Sequence, residues 1–163
     1  MSDWESIVRR HGPMALETAW RILGNAPDTE DAVQDAFLDA FRLHMRRRVD
    51  CWGAMLRRLA ARRAVDVLRK RRRTRPLEVD PPAPVGGEPE TAALGAELET
   101  RFREAVAALP ARQAEVFSLY YFGDLTNAQI AGALNITPGA VAVALHKART
   151  RLQTRLNLEE KER

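Results

Sequence analysis

The stretch PLEVDPPAPVGGEP, residues 76–89, constrains this chain more than any other part of it. Proline lacks the amide that a helix interior or central strand needs, and glycine loses the most freedom on ordering, so no regular element runs through it. The chain is therefore divided into a lobe over 1–75, a linker over 76–92 and a second lobe over 93–158. Such a linker is a fairly extended, semi-rigid spacer, and residues 76–90 could reach roughly 50 Å at about 3.3 Å per residue. Two lobes tethered in this way can hold two distant sites on one ligand at high effective concentration. Each is small enough to bury proportionally little surface, so each gains from a partner.

Both lobes read as helical. Pro13 suits a first helical turn, the apolar residues Leu16, Trp20 and Leu23 follow at helical spacing, and Gly24 is placed to end that helix. PDTEDAVQDAFLDAFR begins a second helix with Asp28 as its N-cap; Val33, Phe37, Ala40 and Phe41 form its apolar stripe. On the same helix Asp31, Asp35 and Asp39 stand four apart, a ridge whose self-repulsion a basic surface would relieve. CWGAMLRRLAARRAVDVLRKRRR reads as a third helix with Met55, Leu56, Leu59, Ala60, Val67 and Leu68 inward. Beyond the linker come a helix over 93–108 and another from Pro110 to Gly123. No stretch alternates as a strand and no 20–50-residue period repeats, so the expected class is all-α, two small helical domains.

The net charge of +4 conceals a strong segregation. Residues 1–41 hold 3 basic and 8 acidic side chains, whereas residues 42–75 hold 14 basic and 2 acidic. A polycation of that density suits a phosphate backbone, where counterion release drives association, although a solvated helix face is the plain alternative for any one arginine. The single Cys51 forms no internal disulfide, and His11, His44 and His146 show no metal-ligand spacing, so neither a metal nor another cofactor is expected. No catalytic spacing or phosphate loop stands out, and an enzyme is the least expected reading. Without an apolar run of about 18 residues or a basic-then-apolar leader, no membrane role is expected and the location expected is cytoplasmic.

The stretch LTNAQIAGALNITPGAVAVALHKARTRL, residues 125–152, completes the second lobe. Thr126 and Gln129 fit a capping box, NITP makes a tight turn with Thr137 as cap and Pro138 in the first helical position, and a basic segment follows. Two short-linked helices, the second ending basic, make a helix-turn-helix. Its second helix is unusual in carrying Ala142, Val143 and Ala144 where base-reading polar side chains are common. Consecutive residues lie about 100° apart on a helix, so those three cannot all face inward.

Taken in order, AWRILGNAPDTEDAVQDAFLDAF, MLRRLAARRAVDVLRKRRR and LPARQAEVFSLYYFGDLTNAQIAGALNITPGAVAVALHKARTRL resemble the extracytoplasmic-function (ECF) group of sigma-70-type RNA polymerase sigma factors. The resemblance implies a promoter-specificity subunit whose partners are bacterial core RNA polymerase and promoter DNA, with an anti-sigma factor as a common further partner of the family. It places Asp31, Gln34, Asp35 and Leu38 on the polymerase clamp helices. It assigns Trp52, Arg57, Arg58, Arg62, Asp66, Arg69 and Arg72 to the minus-10 element and its melted strand, where guanidinium groups grip phosphates and a base is extruded. Trp52 suits base stacking or a core anchor equally. Two departures stand out: Arg62 where the family commonly has Asn, and Ala61 where it commonly has Arg.

For minus-35 DNA the resemblance points to Thr126, Thr137, Pro138, Gly139, Ala142, Val143, His146, Lys147 and Arg149. The apolar trio lacks hydrogen-bond donors, so the expected contacts are helix-start N–H groups at Gly139 and Ala140 and cationic side chains downstream, which position a backbone without specifying sequence. A stand-alone helix-turn-helix regulator is the competing function, but it needs only the second lobe.

Overall fold

A computed structural model describes residues 3–74 and 89–161, without the side chains of 89, 90 and 158–160. Its helices are α1 (Trp4–Leu23), α2 (Ala26–Arg46), α3 (Trp52–Thr74), α4 (Pro89–Ala107), α5 (Ala111–Tyr121), α6 (Asn127–Leu134) and α7 (Pro138–Lys161). The described residues contain no strand. Most of the predicted linker, residues 76–88, lies outside the described residues, while its last residues already belong to α4.

The helix punctuation is mostly local chemistry. Gly24 takes the left-handed conformation, φ 73°, and its N–H donates to the Trp20 carbonyl, ending α1 as expected. The start of α1 differs from expectation: it lies at Trp4, and Pro13 sits inside the helix on its exposed side rather than in its first turn. The N-cap of α2 is also earlier than expected. Asn25, not Asp28, occupies it, and its side chain accepts from the Asp28 N–H at 3.0 Å, while Asp28 remains in the first turn, where a carboxylate meets the positive helix end.

Helix α3 packs on α1 and α2 with one side and on α4, α5 and α6 with another, so it serves both lobes. Alanines make that double contact feasible: Ala60, Ala61 and Ala64 are fully buried, and Leu56, Val65 and Leu68 fill the larger gaps. Val65 and Leu68 belong to the same buried cluster as Leu109, Ile130 and Leu134 of the second lobe. The lobes are therefore packed against one another in this structure. The predicted inward residues Leu59 and Val67 are only half-buried because Ala61, Ala64 and Val65 take the interior positions.

The small inward residues also explain two departures on α1. Ala15, Thr18, Ala19, Ile22 and Leu23 define its buried face, leaving Leu16 at 46% and Trp20 at 48% exposure. On α2, Val33 and Ala40 are buried, but Phe41 is exposed and stands edge-on to Trp4, with ring centroids 5.2 Å apart. In the second lobe α7 lies across α4, α5 and α6. Ile130, Val141 and Ala148 are fully buried at its centre.

Candidate polymerase and nucleic-acid interface

Asp31, Gln34, Asp35 and Leu38 are all exposed along α2, because Ala32, Val33 and Ala36 supply the buried face between them. Leu38 is 51% exposed, an apolar group beside two carboxylates. The third member of the acidic ridge has another role. Arg63 donates from Nε and Nη2 to the two Asp39 carboxylate oxygens at 2.7 and 2.8 Å. Those hydrogen bonds hold the Asp39 carboxyl below the usual carboxylate range, against a smaller opposing effect of burial. The relief expected from a basic partner is thus supplied at Asp39 from within the lobe.

The basic helix sorts its arginines by what they touch. Arg62, Asp66 and Arg72 are exposed. Arg57 is half-buried, with Nη2 2.7 Å from the Met14 sulfur. Arg58 and Arg69 reach across to the second lobe: Arg58 Nε donates to Glu115 at 2.8 Å, and Arg69 Nη2 donates to the Leu109 carbonyl at 3.0 Å. Trp52 is 9% exposed and stands edge-on to Trp4, with centroids 6.3 Å apart. That packing is what the core-anchor reading of Trp52 expects.

The helix-turn-helix has the expected caps. The Thr126 hydroxyl accepts from the Gln129 N–H at 3.2 Å and Gln129 Oε1 accepts from the Thr126 N–H at 2.9 Å. Asn135 adopts the left-handed conformation, φ 55°, at the end of α6, and Thr137 Oγ1 accepts from the Ala140 N–H at 3.1 Å. That last bond has a consequence for anion binding. The cap already uses the Ala140 N–H, one of the two amides expected to meet a phosphate, so less of this helix start is available than the sequence suggested.

On α7, Pro138, Gly139, Ala142, His146, Lys147 and Arg149 are exposed. Val143 is 54% exposed, whereas Ala144 is buried, so the apolar trio divides as helical geometry requires. Arg149 is held by an aromatic pair that sequence reasoning did not single out. Its Nε donates to the Tyr121 hydroxyl at 2.6 Å, and its guanidinium lies 5.5 Å from the Tyr120 ring centroid and 5.3 Å from that of Tyr121. The YYF run at the end of α5 is the available signal.

The described geometry meets two family descriptions in chain order: sigma-70 region 2 matches residues 7–74 and sigma-70 region 4 matches residues 99–152. The chain belongs to the ECF group of sigma-70 family sigma factors. It is 26% identical over 157 residues to the ECF RNA polymerase sigma factor SigE of Mycolicibacterium smegmatis, a match covering 94% of this chain and 61% of that protein. It is 26% identical over 165 residues to SigW of Bacillus subtilis, covering 92% of this chain and 87% of that one. Among solved structures, CnrH in complex with the cytosolic domain of CnrY aligns over 95% of this chain and 88% of its own, with TM-score 0.60 and 21% identity. The sigma factor RpoE with the anti-sigma factor NepR from Bartonella quintana aligns over 96% and 98%, with TM-score 0.56 and 19% identity. Those two likenesses support the all-α fold of this ECF sigma factor. A stand-alone regulator would leave the region 2 match over 7–74 without a use. Among the described residues no single helix is long and apolar enough to cross a membrane.

Proposed function

We propose that this sigma factor binds core RNA polymerase in the cytoplasm, directs it to promoters and helps open them, with the bond-making chemistry belonging to the polymerase. The carrying observation is the ordered pair of matches, region 2 over the first helical lobe and region 4 over the second. Asp31, Gln34, Asp35 and Leu38 share the exposed face of α2 and form the surface for the polymerase clamp helices. Arg57, Arg58, Arg62, Asp66, Arg69 and Arg72 serve the minus-10 element, with Trp52 anchoring the helix that carries them. Thr126, Thr137, Pro138, Gly139, Ala142, Val143, His146, Lys147 and Arg149 serve the minus-35 element. With Ala142 and Val143 outward, readout there rests on thymine methyl groups, groove shape and phosphate contacts, so sequence preference is relaxed. An anti-sigma factor is the further partner this reading admits.

The test is co-elution of the full chain with bacterial core polymerase, comparing wild type with an Asp31→Lys/Asp35→Lys variant. Both residues are exposed, so the substitutions should leave the fold intact. Association abolished by the reversal supports the reading; no association by the wild type, with duplex binding retained, overturns it.

A further inference from the structure

On α7, Ala142, His146 and Arg149 follow one another at intervals of four and three, so they share one exposed face within about 60° of arc. The buried stripe of Val141, Leu145, Ala148 and Leu152 runs beside that face, and Arg149 lies on the border between the two. From there its side chain reaches the end of α5. Nε donates to the Tyr121 hydroxyl at 2.6 Å, and the guanidinium carbon lies 5.3 and 5.5 Å from the Tyr121 and Tyr120 ring centroids. The tyrosines are themselves fixed. Their rings meet edge-on with centroids 5.0 Å apart, and Tyr121 lies 4.5 Å from the ring of Phe117, which is buried and stands against Phe102 and Phe122. A line of packed rings therefore runs from the core of the second lobe to an exposed cation on the face that carries Ala142 and His146.

We propose that Tyr121, backed by Tyr120, is a positioning residue for DNA binding: it holds Arg149 in place at the far end of the minus-35 face, where the guanidinium grips one backbone phosphate. This rests on the proposed minus-35 role of α7. A guanidinium carries five N–H donors, and the bond to Tyr121 uses only the one on Nε. Among the described residues no acceptor takes the four Nη N–H groups, which leaves that end of the fork for a bidentate contact with phosphate oxygens. The tyrosine rings attract the cation through their faces without using a donor. A free arginine loses rotamer freedom when it engages a phosphate; here that freedom is already lost on folding, so binding does not bear the cost again. The placement matters because Ala142 and Val143 offer no side-chain hydrogen-bond donor, and a fixed cation then sets the register in which α7 lies along the groove. Together with the Gly139 N–H at the helix start, Arg149 lets α7 hold the DNA backbone at two points about 15 Å apart, at about 1.5 Å per residue.

The experiment uses the full chain bound to core polymerase and one duplex that this complex selects from a randomised pool, with affinity measured from about 0.1 to 0.4 M salt. Tyr121 and Arg149 are both exposed, so substitutions there should leave the fold intact. Arg149→Gln should weaken binding about tenfold and make the slope of log affinity against log salt shallower by about 0.9, the signature of one lost phosphate contact. Arg149→Lys should restore that slope without the full affinity, because lysine keeps the charge but not the planar fork. Tyr121→Phe keeps the ring and removes the hydroxyl; it should weaken binding about threefold with the slope unchanged. In the Arg149→Gln background the same change should have no further effect, because the residue that Tyr121 positions is gone. An unchanged slope in Arg149→Gln overturns the phosphate contact, and an equal Tyr121→Phe loss in both backgrounds overturns the positioning role. Co-elution with polymerase is read first on every chain: a wild type that does not associate overturns the sigma-factor reading and this proposal with it, whereas normal association with an unchanged slope or equal losses overturns this proposal alone.

Discussion

Replacing Asp39 should cost stability, whereas replacing Asp35, one turn earlier on the same acidic ridge, should not. Asp39 receives two hydrogen bonds from Arg63, and the side chains are 25% and 36% exposed, between a surface pair and a buried one. Exposed ion pairs contribute about 0.2–1 kcal/mol and hydrogen bonds to charged groups about 1.5–3 kcal/mol, so Asp39→Asn should cost about 1–2 kcal/mol. At this chain length that lowers Tm by about 2–8 °C. Asp35→Asn removes an exposed charge from the ridge and should stay within about 0.5 kcal/mol of wild type. Thermal and urea unfolding of Asp39→Asn, Arg63→Gln and the double variant would isolate the coupling, expected at about 1 kcal/mol. The pH dependence is a second check. Because hydrogen bonding from Arg63 lowers the folded-state pKa of Asp39, the unfolded chain binds its proton first on acidification. The contribution is complete above the ordinary Asp value near 3.8 and is lost as pH falls toward the lower folded value. A coupling below about 0.3 kcal/mol, or equal losses for Asp35→Asn and Asp39→Asn, would refute the distinction.

Thr126→Ala removes the hydroxyl that accepts from the Gln129 N–H, leaving the backbone donation to Gln129 Oε1 in place, and should cost about 1 kcal/mol by chemical denaturation, with duplex affinity of the full chain falling in parallel. Ile130→Ala, at a fully buried position, should cost about 2–5 kcal/mol in the same assay. Among the described residues the buried His11 Nδ1 has no hydrogen-bond partner, and burial, reinforced by Arg10 and Arg57, lowers the imidazole pKa. The unfolded chain therefore protonates His11 first, so stability should fall as pH drops from about 6.5 toward the folded value, with a shallower slope in His11→Asn.

What the sequence disclosed follows the range of the interactions involved. Gly24, the Thr126–Gln129 box and the Thr137–Pro138 turn were legible because a cap is decided within a few residues. Asn25 rather than Asp28 caps α2 because both residue types cap well, and only the backbone geometry selects between them. Leu16 and Trp20 looked inward from spacing alone, but Ala15 and Ala19 permit a close helix approach that turns the larger residues outward. The division of the Ala142–Val143–Ala144 trio followed from helical geometry. Which arginines were already engaged did not: Arg58 and Glu115 are 57 residues apart, and no local pattern joins them.

That missing information changes how the basic segment should be understood. Read as charge, residues 42–75 supply 14 cations to a phosphate backbone. In the folded chain, Arg63 is committed to Asp39, Arg71 pairs with Asp28, and Arg58 and Arg69 hold the second lobe. A guanidinium tied within its own lobe orients α3 against α2, whereas one tied across lobes orients α3 against the second lobe. The charge density that suits DNA is therefore also suited to closing the protein on its own helix ends, since both targets present clustered oxygen acceptors with negative potential. The two targets differ in geometry and number: a duplex offers a continuous row of full charges, while the second lobe offers a few partial charges and two carboxylates, Glu115 and Asp124. An arginine-rich helix can consequently be held in place by helix ends of its own chain, and its charge count alone does not say which of its cations are uncommitted.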